Sequence, residues 1–390
     1  MKLLNGVNPC LLLLLAPSPF KFSAATQALP PQHPLQDPLQ DPLSISSSTP
    51  LLALHESLVN HPSTTGLEAN ITTFLQTHLE SHLNLTVHTQ PVAPNRQNLL
   101  AYLGTSRTTR LLLTSHIDTV PPYIPYSRHG NALHGRGTVD AKGSVAAQIL
   151  AFSSLLASGA IHEGDVALLY VVGEETGGAG MGAVNDLGLS WEAVIFGEPT
   201  ELKLARGHKG GLGFTITAKG RAGHSGYPEL GTNAIDVLVR ALYALQGLKL
   251  PSSKTYGNTT LTVGKISGGV AANVIPESAF ATVSVRVAAG TPEGIQELIE
   301  RAVLAAEPGV ELSFSYGIGP IPLDYDIEGF ETTVVSYGTD IPRLKGDHKK
   351  YLYGPGSILV AHSDHEHLTV ADLEAAVEGY KTLILESLKR

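Results

Sequence analysis

The chain has 390 residues, a formal net charge of −9 and 43% hydrophobic residues. This length exceeds what one typical hydrophobic core organises, and it favours two domains. The net charge is negative and no stretch is rich in lysine or arginine, which argues against nucleic-acid binding.

Residues 1–25 have the pattern of a signal peptide. Lys2 gives a positive start, residues 11–16 form a short apolar core, and residues 23–25 are small enough for cleavage. The alternative is a disordered cytosolic tail. No later apolar run approaches the ~20 residues that a membrane-spanning helix needs. The sequence therefore predicts a secreted, extracellular protein that does not bind membranes.

Residues 26–50 are rich in proline, which blocks both helix formation and strand pairing. We predict that this segment is an extended linker or a pro-segment. Three later sites fit the N-glycosylation pattern and agree with a secretory route, namely Asn70, Asn84 and Asn258.

From residue 51 onward, the hydrophobic pattern predicts two domains. Residues 51–206 and 324–390 are predicted to form the first, an α/β domain whose mixed sheet has helices on both faces. Residues 207–323 are predicted to form an inserted α+β domain of order βαββαβ, as in ferredoxin-like folds. Its elements are expected at 212–218, 232–245, 260–266, 279–287, 292–306 and 310–316.

Metal-binding residue types stand where the predicted strands of the first domain end. Apolar runs at 111–115, 166–172, 193–196 and 358–360 precede His116, the pair Glu174 and Glu175, Glu198, and His362. Asp140 opens a predicted helix at 141–156. In an open α/β sheet, ligands bind beyond the carboxyl ends of the strands. The sequence therefore predicts one site that collects these side chains.

The chemistry of this set suits a pair of metal ions. His116, Asp140, Glu175, Glu198 and His362 supply imidazoles and carboxylates, which zinc prefers. A two-metal hydrolytic site holds its ions ~3.5–4 Å apart, so one carboxylate usually bridges them. Without cations, crowded carboxylates would repel each other and have raised pKa values. The sequence predicts two Zn²⁺ per subunit, with Co²⁺ as the alternative metal.

Three residues near these ligands receive separate predictions. Asp118 follows His116 at a spacing that would let it hydrogen-bond the far ring nitrogen. Glu174 is predicted to be the catalytic general base rather than a ligand. His365 remains the alternative to His362 as the histidine ligand of the last motif.

The motifs of this set are TSHIDTVP at 114–121, GRGTVDAKG at 135–143, GEETG at 173–177, GEPT at 197–200 and AHSD at 361–364. In this order they resemble the M20 metallopeptidases. That family includes glutamate carboxypeptidases, aminoacylases, succinyl-diaminopimelate desuccinylases and acetylornithine deacetylases. The resemblance extends from about residue 51 to the C-terminus.

The resemblance implies a role for each ligand. Asp140 would bridge the two ions. His116 and Glu198 would complete one site, and Glu175 and His362 would complete the other.

In the inserted domain, the resemblance implies three substrate-binding residues. His224 would face the substrate, while Asn273 and Arg286 would hold its carboxylate end. An arginine offers a planar fork that suits a carboxylate, which gives Arg286 a physical reason as well. The resemblance also implies a homodimer through this domain, in which His224 reaches the partner's active site.

These observations predict a zinc-dependent hydrolase that cleaves an amide bond next to a free carboxylate. The first hypothesis is a secreted carboxypeptidase acting on peptides. The alternative enzyme is an N-acyl-amino-acid deacylase of the acetylornithine deacetylase type. A third hypothesis, from another class, is an extracellular binding protein that has lost its metal.

Overall fold

The computed structural model describes residues 49–389. The predicted signal peptide, and the predicted linker up to residue 48, lie outside the described residues. Helix α1 (Pro50–Val59) begins on the last residue of that linker. The Thr49 hydroxyl oxygen accepts a hydrogen bond from the Leu52 N–H at 3.4 Å, and proline fits the first helical position because no helical N–H is needed there.

The described part of the chain contains helices of 6 to 19 residues. In chain order they are α1 (Pro50–Val59), α2 (Ala69–Leu83), α3 (Lys142–Ala157), α4 (Ala179–Val184), α5 (Ala234–Gln246), α6 (Pro292–Ala306) and α7 (Val370–Leu388). None of these described helices has both the length and the apolar character needed to cross a membrane.

Strands supply the rest of the regular structure. In chain order they are β1 (Thr86–Ala93), β2 (Arg96–Tyr102), β3 (Leu111–His116), β4 (Ser127–His129), β5 (Ala132–His134), β6 (Val166–Val171), β7 (Ala193–Gly197), β8 (Leu204–His208), β9 (Gly210–Lys219), β10 (Ser252–Ser253), β11 (Gly257–Asn258), β12 (Thr260–Gly268), β13 (Ser278–Val287), β14 (Glu311–Phe314), β15 (Ile321–Pro322), β16 (Thr332–Val335), β17 (Lys349–Tyr353) and β18 (His367–Thr369).

The main sheet has six strands in the order β1-β2-β6-β3-β7-β17. Strands β6, β3, β7 and β17 run parallel, while β1 and β2 are antiparallel additions at one edge. All residues of β3, β6 and β7 are buried, as expected for parallel strands covered on both faces. The carboxyl ends of these three strands therefore meet at one edge of the sheet.

Successive residues of the central strands face two different hydrophobic cores. In β3, Leu111 and Leu113 belong to the core that packs against α1, α2, α3 and α7. Leu112 belongs to the opposite core, where α4 and several loop residues cover the sheet. The predicted mixed sheet with helices on both faces is confirmed.

A second sheet, ordered β12-β13-β9-β14, has its own hydrophobic core beneath α5 and α6. Burial alternates strictly along β13, because one face of this sheet packs on the helices and the other is solvated. The chain order β9-α5-β12-β13-α6-β14 is the predicted βαββαβ arrangement, with the short β10–β11 hairpin added. The predicted fold of the insertion is confirmed, while its boundaries at 207 and 323 stay a prediction.

His55, on α1, gives the fold a measurable pH dependence. Its Nε2 lies 3.0 Å from the Thr138 carbonyl oxygen, and burial lowers its pKa from 6.5 to about 4. Because the folded state favours the neutral ring, this contribution to stability is complete above the unfolded pKa near 6.5. It is lost as the pH falls towards 4. We predict a decrease in the free energy of unfolding of up to about 3 kcal/mol over that range.

Urea titrations of the wild type and of His55→Gln at pH 7 and at about pH 4.5 measure this contribution. The glutamine amide can still donate to Thr138 but does not titrate. Loss of metal in acid affects both proteins, so the difference between them isolates His55. An equal decline in both proteins would contradict the prediction.

Candidate metal centre

Five side chains from separate elements meet beyond the carboxyl ends of the central strands. His116 Nε2 lies 3.1 Å from Asp140 Oδ1 and 3.7 Å from Glu198 Oε1. His362 Nε2 lies 3.1 Å from Asp140 Oδ2 and 3.1 Å from Glu175 Oε2. Within each group of three, the potential ligand atoms lie within 4.8 Å of one another. The two groups share Asp140, which presents one carboxylate oxygen to each histidine.

The protonation of His116 is fixed by a backbone group. Its Nδ1 lies 2.9 Å from the carbonyl oxygen of Asp118, and a carbonyl can only accept a hydrogen bond. Nδ1 therefore carries a proton whether the ring is charged or neutral, which leaves Nε2, beside Asp140 and Glu198, as the nitrogen that could bind a metal ion. A metal ligand of this kind commonly donates its other ring N–H in this way.

The predicted hydrogen bond between Asp118 and the far ring nitrogen of His116 is made by the Asp118 backbone carbonyl and not by its carboxylate. The nearest carboxylate oxygen, Oδ1, is 3.7 Å from Nδ1, beyond hydrogen-bond distance. The chain turns so tightly after β3 that the Asp118 carbonyl reaches the ring first. The Asp118 carboxylate can therefore accept hydrogen bonds from other groups, which the spacing in the sequence did not reveal.

The Asp118 carboxylate holds the turn that follows β6. Oδ1 accepts from the N–H groups of Gly173 at 2.8 Å and Glu174 at 3.1 Å, and Oδ2 accepts from the N–H of Glu175 at 3.3 Å. The Thr65 hydroxyl also donates to Oδ2, at 2.7 Å. One buried side chain thus sets the positions of both adjacent glutamates.

The approach of His362 to the site differs from the prediction. Residues Ile358–Val360 form one 3₁₀ turn, capped by the Ser357 hydroxyl, and not the predicted strand. The prediction was wrong because a short apolar run does not distinguish a strand from a turn. The backbone of His362 has φ of 62°, in the left-handed region. Its side chain remains half exposed while its Nε2 faces the other ligands.

His365, the alternative ligand, lies outside both groups. Its Nδ1 is 2.9 Å from the carboxylate of its neighbour Asp364, and both side chains are exposed. Of the two candidate histidines, the geometry brings His362 to the carboxylates and leaves His365 at the surface.

The carboxylates of the site are crowded enough to perturb their protonation. Burial raises the pKa of Glu198 well above its usual value, and the charges of Asp140 and Glu174 add to this effect against the opposing charge of His116. The pKa of Glu174 is also raised, by burial and then by neighbouring carboxylates that include Asp340, again opposed by His116. A cation between these groups would relieve the repulsion.

Asp140 behaves differently from those two glutamates. Burial alone would raise its pKa, but hydrogen bonds to the two histidines outweigh burial and lower it. Asp140 is thus held as a carboxylate with an oxygen on each side. Together with imidazole nitrogens and further carboxylates at these distances, this donor set fits divalent metal ions of the zinc type.

A cavity of about 310 Å³ opens directly on these groups. Asp140, Glu174, Glu175, Glu198 and His362 line it on one side. The carboxylate of Glu174 makes no hydrogen bond to the described residues, so it is available to a bound molecule.

The lining of the cavity also carries positive charge. Arg286, on β13, and Arg343 both line it, and neither forms an ion pair with a carboxylate of the described residues. Lys209 is buried in the same lining, and its Nζ donates to the Asn258 carbonyl oxygen at 2.8 Å. The cavity is therefore lined by cationic groups as well as by the potential metal ligands.

The other two predicted substrate-binding residues lie elsewhere. His224 and Asn273 are exposed in neighbouring loops of the inserted domain, where His224 bridges to Val274. The Asn273 carbonyl accepts from the N–H of Ser225 at 3.0 Å. Neither residue lines the cavity of its own protomer.

Several cavity residues were not predicted from the sequence. His208 is buried, donates from Nδ1 to the Lys209 carbonyl at 2.7 Å, and lies 3.1 Å from the Thr339 hydroxyl through Nε2. Burial lowers its pKa to about 4, so the ring is neutral. Tyr337 and Asp340 reach the cavity from one loop. His208 ends β8 and Tyr337 follows β16, but neither of these short strands was predicted from the sequence. The Gly-Thr-Asp run at 338–340 offered a turn signal only.

Comparison with known sequences adds independent information. A family model described as a peptidase dimerisation domain matches residues 206–311. A probable carboxypeptidase of Aspergillus niger is 47% identical over 384 residues, covering 89% of this chain and 92% of that protein. A probable carboxypeptidase of Aspergillus clavatus is 47% identical over 379 residues, covering 89% of this chain and 91% of that protein.

Solved structures share the fold. An M20 family metallo-carboxypeptidase of Sulfolobus solfataricus has a TM-score of 0.71 at 17% identity, covering 87% of this chain and 99% of that chain. Human carnosine dipeptidase 1 has a TM-score of 0.69 at 15% identity, covering 87% and 97%. By its close relatives, its inserted domain and its fold, the chain belongs to the M20 family of metallopeptidases and is a metal-dependent hydrolase of peptide bonds.

Proposed function

We propose that the protein is a secreted carboxypeptidase that uses two zinc ions to hydrolyse the amide bond next to a C-terminal carboxylate. The observation that carries this proposal is the sharing of Asp140 by two ligand groups, with Glu174 beside them and outside both. A binding protein without metal would not need these side chains. Each of them is chemically suited to be a metal ligand or a general base.

The metal ions would be held by His116, Asp140 and Glu198 in one group and by Asp140, Glu175 and His362 in the other. When bound, such ions lower the pKa of a water molecule and polarise a carbonyl oxygen.

Glu174 moves the proton in this proposal. As the water oxygen bonds to the substrate's carbonyl carbon, the Glu174 carboxylate accepts a water proton. It then delivers that proton to the leaving amine nitrogen as the carbon–nitrogen bond breaks. Burial of Glu174 raises its pKa by favouring the neutral form, which helps this carboxylate to accept the proton and to carry it to the amine.

Arg286 binds the C-terminal carboxylate of the substrate, since it lines the same cavity as the potential metal ligands and has no acidic partner among the described residues. We predict that Arg286→Lys raises KM about 10-fold or more for N-blocked dipeptides, because a bidentate charged hydrogen bond is lost. The effect should disappear for substrates with an amidated C-terminus.

Steady-state kinetics of Arg286→Lys beside Arg301→Lys, an exposed arginine on α6, provide the measurement and its control. Equal KM values for the wild type and Arg286→Lys would remove Arg286 from carboxylate binding.

The substrate class is tested by comparing N-blocked dipeptides with N-acetyl amino acids under the same conditions. We expect faster turnover of the dipeptides, because the two Aspergillus relatives are called probable carboxypeptidases. Preference for the N-acetyl amino acids would instead assign the deacylase activity. Metal analysis of the purified protein, expected to give two zinc ions per chain, tests the metal content separately.

Secretion and glycosylation belong to the same proposal. Asn70, Asn84 and Asn258 are all exposed, so each is accessible to a glycan. Expression of the full chain in a secreting fungal host should place the protein in the medium, and endoglycosidase treatment should lower its mass. Retention inside the cell with an unchanged mass would contradict this part.

We also propose a homodimer through the inserted domain, supported by its match to a peptidase dimerisation domain. Exposed apolar side chains on this domain, among them Tyr243, Ile266 and Val270, offer a surface for it. Light scattering after size-exclusion chromatography measures the mass. A monomer at micromolar concentration would reject the dimer and leave His224 without a site to reach.

A further inference from the structure

Glu366 lies in the segment after His362 and makes four hydrogen bonds, although it is only 2% exposed. Its Oε1 accepts from the backbone N–H groups of Gly137 at 2.9 Å, Val139 at 3.2 Å and Asp140 at 3.3 Å. Its Oε2 accepts from Nη1 of Arg136 at 2.7 Å. Both oxygens of this carboxylate are therefore engaged by one short stretch of chain.

That stretch is the turn that delivers Asp140 to the metal centre. The turn is tight, since Gly137 has φ of 87° and a Cβ there would lie 2.8 Å from the Thr119 side chain. Its N–H groups converge on one point and form a concave site for an anion, except that of Thr138, which donates to the Gly135 carbonyl oxygen. The anion that occupies it here is supplied by the protein itself, from a loop far away in sequence.

Glu366 is also close in sequence to His362, the histidine of the second group of potential ligands. Glu366 follows His362 by four residues, and its own backbone carbonyl accepts from the N–H of Gly135 at 3.3 Å. Strand β18, which begins at the next residue, pairs antiparallel with β5. Glu366 thus connects the loop that carries His362 to the turn that carries Asp140.

A carboxylate is needed in this position, and an amide would not replace it. A glutamine could accept from the N–H groups through its oxygen, but its NH₂ group would then face the Arg136 guanidinium, which can only donate. Arg136 is itself only 2% exposed, so its charge would be left in the interior with the Pro122 carbonyl oxygen but without an anionic partner. The geometry therefore depends on the charge of Glu366 and not only on its shape.

We propose that Glu366 is a positioning residue of the metal centre, which fixes Asp140 relative to His362 so that both ligand groups can share one carboxylate. This inference rests on the proposed two-metal function. The residues that orient metal ligands affect metal affinity even when they do not touch the ion.

The experiment measures zinc affinity of the full chain by competition with a chromogenic chelator, well below the unfolding temperature of the metal-free protein. Glu366→Gln is expected to bind zinc about 10–100-fold more weakly than the wild type. The matched control is Glu192→Gln, which breaks an arginine–glutamate pair at the amino end of β7, away from the site. Its zinc affinity should stay within about twofold of the wild type, as an exposed pair contributes little.

A purely structural role would lower the unfolding temperature of the metal-free protein without changing zinc affinity, and that result would overturn the proposal. If Glu366→Gln does not fold, Arg136→Lys replaces it, because the charge and the three backbone bonds to Glu366 are kept. A loss in zinc affinity of about threefold to tenfold is then expected, and wild-type affinity would overturn the proposal. A wild-type protein that binds no zinc would instead reject the proposed function, a result distinct from either variant behaving like the wild type.

Discussion

A Glu174→Gln variant is expected to keep its metal ions and to lose about 10²–10⁴-fold in kcat. The amide has nearly the same shape, and the hydrogen bonds that hold this turn come from backbone N–H groups to Asp118, so the geometry should persist. An amide cannot accept a proton from water at neutral pH. Elemental analysis for zinc and kcat with a saturating N-blocked dipeptide provide the two measurements.

The matched control for this variant is Glu328→Gln, an exposed glutamate in a loop. It should retain the kcat of the wild type. Full activity of Glu174→Gln would exclude its role as the base. Loss of zinc from Glu174→Gln would show instead that this carboxylate is a ligand.

An Asp140→Asn variant is expected to lose both metal ions, since Asp140 alone belongs to both ligand groups. An asparagine side chain has one oxygen, whereas Asp140 presents one oxygen to each of the two groups. Because bound metal contributes several kcal/mol to the stabilisation of the transition state, activity should fall by at least about 10²-fold. Zinc stoichiometry and kcat/KM measure the two effects.

Glu198→Gln is the comparison variant, because it alters one group only. It should lose about one ion and leave the group of Glu175 and His362 occupied. Circular dichroism of both variants establishes that they are folded. Two tightly bound ions in Asp140→Asn would contradict a shared carboxylate.

The parts of this molecule that could be predicted from the sequence are those with a repeated physical signal. Strands β3, β6 and β7 are continuous apolar runs because both of their faces are buried, and the proposed ligands His116 and Glu198 stand at the ends of two of them. The inserted domain alternates in burial along β13 and carries a capped helix at Pro292–Ala306, whose predicted bounds agree with the structure.

What could not be predicted depends on contacts between distant segments. The Asp118 carboxylate binds three N–H groups some 55 residues away, and spacing alone suggested a local partner instead. The apolar run at 358–360 was too short to distinguish a strand from a turn. Lys209 and Asp340 are single charged residues in buried loops, where composition gives no sign that a cavity will form.

The order in which the chain is synthesised bears on when the site can exist. The last strand of the main sheet, β17, begins only near residue 350. Helix α7, which follows it, packs on the same core as α3. Tyr380 on α7 donates to the Tyr353 carbonyl at 2.7 Å and ties this late helix to that late strand. His362 lies between the two. A chain synthesised only as far as β17 contains Asp140, Glu175 and Glu198 but not His362, so the second group of potential ligands is complete only once the last part of the chain is present.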